Sequence, residues 1–98
     1  MSATLTPEGE SRYRLAGDLT FAHVADLYED TSLEFTGGRI RVDLAQVRHA
    51  DSAGLALLLE WLRNARAAGC DIEYLHIPLQ LQSLIDVSGL EHLIRLQD

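Results

Sequence analysis

Ile40-Arg41-Val42-Asp43-Leu44 alternates apolar and polar residues. After a short interval it is followed by Asp51-Ser52-Ala53-Gly54-Leu55 and a leucine-rich run that reaches Ala68. A strand handing over to a helix in this way is the front half of a crossover unit, which restricts the chain to a sheet with helices packed on it. The same junction sets the Ser52 hydroxyl at a helix N-terminus. Unpaired backbone N–H groups and the positive end of the helix dipole favour an acceptor oxygen or an added phosphate there.

The remaining pattern fits that frame. Tyr13, Leu15 and Gly17 alternate with Arg12, Arg14 and Ala16, as in a half-buried strand, and a shorter strand near Thr4–Pro7 precedes it across the turn Glu8-Gly9-Glu10. From Thr20, the residues Phe21, Val24, Leu27 and Tyr28 share one helical stripe, while Asp26, Glu29 and Asp30 face water. Thr20 or Asp18 can cap that helix. Gly37-Gly38 breaks the chain before the Ile40–Leu44 strand. The second helix is expected from about Ser52 to Ala68, closed by Gly69, with Leu55, Leu58, Leu59, Leu62 and Arg66 in one arc and Leu57 and Trp61 on its flank.

Ile72–Ile77 supplies a further strand. Pro78 opens a third helix carrying Leu81, Leu84 and Ile85, and Gly89 stops it. Leu90, Leu93, Ile94 and Leu96 then form a short closing element packed on the core, of a type the pattern leaves open. The order β-β-α-β-α-β-α predicts a single α/β domain over residues 1–98, a mixed sheet covered by helices.

Composition narrows the function. A formal charge of −7 disfavours nucleic acid and anionic lipid surfaces and suits a basic protein surface. The longest apolar run, Gly54–Leu59, is far short of the roughly 20 residues that span a bilayer. Met1–Pro7 lacks the basic, apolar and small-residue pattern of a signal sequence, so a cytoplasmic protein is expected.

The strand Val42-Asp43-Leu44, the loop, Asp51-Ser52-Ala53-Gly54-Leu55 with its leucine-rich helix, and Gly89-Leu90 after the third helix resemble the STAS domains of bacterial anti-sigma factor antagonists. The run from Asp51 to Leu59 and the compact length resemble in particular the STAS subunit of the Mla phospholipid-transport ABC complex. The resemblance covers nearly the whole chain. It implies the STAS fold, a mixed four- to five-stranded sheet covered by three to four helices. It also implies two different uses of one surface. In an Mla-type complex the domain is a non-enzymatic accessory subunit, cytoplasmic and held at the inner membrane through the transporter, that binds and supports the ATPase subunit alongside the permease. In an anti-sigma factor antagonist the serine matching Ser52 is phosphorylated by the anti-sigma kinase, which the unphosphorylated form sequesters. Partner contact is expected at Asp51, Ser52, Ala53, Gly54, Leu57, Trp61 and His49, with the Val47-Arg48-His49-Ala50 loop as a rim.

Plainer readings stand beside these. Asp51 and Ser52 can simply start a helix, and Leu57 and Trp61 can widen the core rather than fill a partner's groove. His23, His49, His76 and His92 show no paired ligand spacing, so no metal and no cofactor is expected. Cys70 has no His or Asn pattern that would mark a nucleophile and reads as a buried thiol. There is no Gly-rich phosphate loop, and Ser52 lacks the Gly-x-Ser-x-Gly setting of a hydrolase elbow. The sequence is read as that of a protein without enzymatic activity.

Overall fold

The computed structural model describes residues 3–28, 38–90 and the backbone of 96–97. Its elements are β1 (Thr4–Pro7), β2 (Arg12–Leu19), α1 (Val24–Tyr28), β3 (Gly38–Ala50), α2 (Ser52–Ala67), β4 (Cys70–Leu75), α3 (Leu79–Ser88) and β5 (Leu96–Gln97). The five strands lie in one sheet in the order β1-β2-β3-β4-β5. β1 is antiparallel to β2, and every other neighbouring pair is parallel. Right-handed crossovers that always step to the next strand in the same direction put α1, α2 and α3 on one face.

That face is the apolar one. Leu5, Tyr13, Leu15, Leu19, Ile40, Val42, Leu44, Ile72 and Tyr74 are buried with the inner residues of the helices in one core cluster. The period of two sends Arg12, Arg14, Arg39 and Arg41 to the opposite face. There Glu73, only 3% exposed, is held by Arg39 at 3.2 Å and Arg41 at 2.9 Å. Ion pairs thus close the face that no helix covers among the described residues.

α2 buries Gly54, Leu55, Leu57, Leu58, Trp61, Leu62 and Ala65. This corrects the expected stripe: Leu57 (0% exposed) and Trp61 (5%) are core residues, whereas Leu59 is half-buried and Arg66 is exposed. A helix lying over the sheet and touching both α1 and α3 buries a broad arc, wider than a narrow seam of leucines requires. Tyr74, fully buried, donates its hydroxyl to the Leu58 carbonyl at 2.7 Å and fixes α2 to the sheet. Burial raises the Tyr74 phenol well above its ordinary pKa, so it remains a donor.

Three other expectations change. Val47–Ala50 is no loop but the end of β3, because β2 goes on pairing with it from Ala16↔Gln46 to Leu19↔Ala50 through a register irregularity between Gly17 and Asp18. α1 is short: the Thr20 carbonyl accepts the N–H groups of His23 and Val24, so a turn occupies the first positions and only Val24 and Leu27 are buried. Phe21 and Tyr28, expected on the inner stripe, are 83% and 50% exposed. The closing element contains β5, a two-residue strand beside β4, and Leu90 packs partly buried on the core. Glu29, Asp30, Gly37, His92, Leu93 and Ile94 lie outside the described residues.

Candidate functional site

The C-terminal ends of β2 and β3 converge on the first turn of α2, and one carboxylate organises the junction. Asp51, in extended backbone (φ −133°, ψ −167°), is the N-cap. Its Oδ1 accepts the Ala53 N–H at 2.9 Å, and its Oδ2 accepts the Phe21 N–H at 3.1 Å. The Asp51 N–H donates to the Leu19 carbonyl at 3.1 Å. The side chain therefore satisfies an unpaired donor of α2 and also ties the β2–α1 turn to it. Ser52, the first helical residue, is left with an exposed side chain and no capping duty.

Gly54 allows this closeness. A Cβ there would lie 2.5 Å from the Leu19 carbonyl oxygen and 2.8 Å from the Leu19 Cβ, so the helix meets the end of β2 backbone to backbone. On the other side, the Ala50 N–H donates to Oε1 of Gln80 at 2.9 Å, which anchors the start of α3 to the end of β3.

Exposed apolar side chains lie on the segments hydrogen-bonded to this junction and farther along α3. Phe21 follows β2 directly, and Leu79 opens α3; each is 83% exposed, and Val87 on α3 is 87% exposed. Leu79, Ser83 and Val87 fall at i, i+4 and i+8, on the side of α3 away from buried Leu81 and Ile85. The only available signal was the surplus of apolar residues in α3 beyond those its inner face uses.

Of the expected contact residues, Ser52 and His49 are exposed and Asp51 and Ala53 are half-buried. His49 lies in β3 opposite Asp18. Gly54, Leu57 and Trp61 are buried and offer a partner no side-chain surface. The outer flank of α2 is instead a half-open groove of about 280 Å³ lined by Leu59, Leu62, Arg63 and Arg66, two helical turns or more beyond Ser52.

Asp43 in β3 and His76 just after β4 form a separate pair. Asp43 accepts the Ala45 N–H at 2.8 Å and pairs with Nδ1 of His76 at 3.0 Å. Partial burial pushes its pKa up, but the Ala45 and His76 hydrogen bonds and the charges of His76 and Arg14 outweigh this and leave it below the ordinary carboxylate value. Cys70 is buried. Among the described residues, no group of three or more His, Cys, Asp or Glu side chains converges, and no helix is long and apolar enough to cross a membrane.

Comparison with known proteins adds three findings. The family model described as "Mlab, STAS domain" matches residues 3–96. A proposed anti-sigma factor antagonist from Thermotoga maritima superposes with a TM-score of 0.74 at 14% identity, over 98% of this chain and 86% of that one. The anti-sigma factor antagonist SpoIIAA in its unphosphorylated form gives 0.69 at 16% identity, over 98% and 87%. At such identities the two structures establish a shared fold. None of the curated proteins compared by sequence matches.

Proposed function

Because the chain belongs to the Mlab, STAS domain family, we propose that it is a non-enzymatic accessory subunit of a phospholipid-transporting ABC complex, docking on the cytoplasmic ATPase subunit through the tip formed by Ser52 and its neighbours. The observation that carries this reading is the exposed Ser52 hydroxyl at a rigidly capped helix start, flanked by the exposed Phe21 and Leu79. Such a tip suits recognition: large apolar side chains supply contact area, and the hydroxyl supplies a polar group that fixes register. The subunit would favour the assembled transporter by binding that state better than the separated one. It would be held at the inner membrane through the complex, with no direct contact with lipid. Co-expression of the tagged chain should recover an ATPase and a permease. Failure to bind an Mla-type ATPase subunit in purified form would refute the proposal.

A second reading is supported by the fold shared with SpoIIAA and by the serine at position 52: an anti-sigma factor antagonist switched by phosphorylation. A phosphate on Ser52 would bring a charge of about −1.5 to −2 beside the Asp51 carboxylate and repel any acidic partner surface. Under this reading Ser52→Asp abolishes capture of an anti-sigma kinase. Undiminished capture rejects it.

A further inference from the structure

We infer that the partner's footprint runs from the Ser52 tip along the outer face of α3, and that Phe21, Leu79 and Val87 are its anchors on a protein surface offering apolar pockets with a basic rim. This rests on the docking reading and adds to it the direction of the contact and the chemistry of the occupant.

Among the described residues, four large apolar side chains are exposed: Phe21, Tyr28, Leu79 and Val87. Leu79 and Val87, eight residues apart, span about 12 Å along one side of α3, and the small Ser83 between them leaves a shallow dip that a partner ridge can enter. Phe21 and Leu79 both adjoin the start of α2 through hydrogen bonds, Phe21 by its own N–H on Asp51 and Leu79 through its neighbour Gln80 on Ala50. Anchors held on rigid backbone lose little freedom on binding, which favours affinity.

The occupant's chemistry follows from charge. α3 has no basic residue, its one charged group is the exposed Asp86, and the chain as a whole carries −7. Arg48 and His49 are exposed at the end of β3, so the acidic character belongs to the α3 face, where apolar anchors beside Asp86 are complemented by pockets bordered by Arg or Lys. The outer flank of α2 is the weaker candidate. Its groove is lined by Arg63 and Arg66, and its larger apolar residues are turned into the core.

The test measures the affinity of the full chain for the purified Mla-type ATPase subunit by calorimetry. The double variant Leu79→Ser/Val87→Ser, and separately Phe21→Ser, are expected to weaken binding about tenfold or more, equivalent to about 1.4 kcal/mol. Their thermal midpoints should be unchanged, since exposed side chains contribute little to folding. Binding should also weaken as ionic strength rises. If both variants bind like the unsubstituted chain while Ser52→Asp does not bind, the anchors are wrong and the tip still docks. If the unsubstituted chain fails to bind, both ideas fall. Insensitivity to salt overturns the basic rim, and a homodimer abolished by the double variant would give the α3 face to a second copy of this chain.

Discussion

Gly54→Ala puts local propensity against tertiary closeness. In an isolated helix the change is favourable by about 1 kcal/mol, because alanine loses less backbone freedom. Here the new methyl would stand 2.5 Å from the Leu19 carbonyl oxygen and 2.8 Å from its Cβ, and neither atom can be moved by a rotamer change. Either α2 lifts or the end of β2 retreats, and each costs about 1–3 kcal/mol as overpacking. The same Leu19 oxygen accepts the Asp51 N–H at 3.1 Å, and loosening that bond adds about 0.5–1.5 kcal/mol. Propensity offsets part of the sum, leaving a net destabilisation of about 1–3 kcal/mol. For a domain of this size each kcal/mol lowers the thermal midpoint by about 4–8 °C. Urea unfolding followed by circular dichroism measures the difference. A variant as stable as the parent, or more stable, would refute the close-contact argument.

Trp61→Ala should destabilise the fold by about 3–5 kcal/mol, since the ring is 5% exposed in the core; a change under about 0.5 kcal/mol in urea unfolding would return Trp61 to the surface. Tyr74→Phe removes the buried bond to the Leu58 carbonyl and should cost about 0.5–1.5 kcal/mol, again read from urea midpoints, with no loss arguing against that bond. Asp43 has a folded pKa below its ordinary 3.8, so it contributes stability above that pH and loses it as the pH falls through the lower folded value. Asp43→Asn should therefore be less stable than the parent at neutral pH and converge with it in acid. A constant gap from pH 7 to pH 2, within about 0.3 kcal/mol, would contradict the assignment.

What the residue pattern discloses here is what local physics decides. Gly69 and Gly89, with φ of +72° and +68°, end α2 and α3 where each helix was expected to stop, and α2 starts where expected, although Asp51 and not the Ser52 hydroxyl supplies the cap. Periodicity located the inner faces of β2 and β3, and Leu55, Leu58 and Leu62 of α2, because burial of one face repeats at a fixed interval. Features set by neighbours escaped it. The last residues of β3 have no clean alternation and are strand because β2 extends alongside them. Leu57 and Trp61 are inside because α1 and α3 widen the arc that α2 buries, which no single-helix pattern encodes. Phe21 has helical spacing yet sits in the turn held by Thr20, and so an apparent core residue is an exposed one. Glu73 resembles a solvated charge in sequence and is almost wholly enclosed by two arginines from the next strand. The motif singled out the tip as a candidate, while the exposed side chains around it depend on what the packing leaves outside.

The shared carboxylate of Asp51 has a mechanical corollary. Its two oxygens grip donors on separate stretches of chain, with Phe21 lying 30 positions upstream, so the group cannot pivot away without letting one of them go. A negative substituent on the adjacent exposed hydroxyl would therefore meet a like charge that cannot retreat, and would itself have to swing out into solvent. Asp51→Ala would free both donors at once, so the start of α2 and the turn after β2 would slacken as one unit.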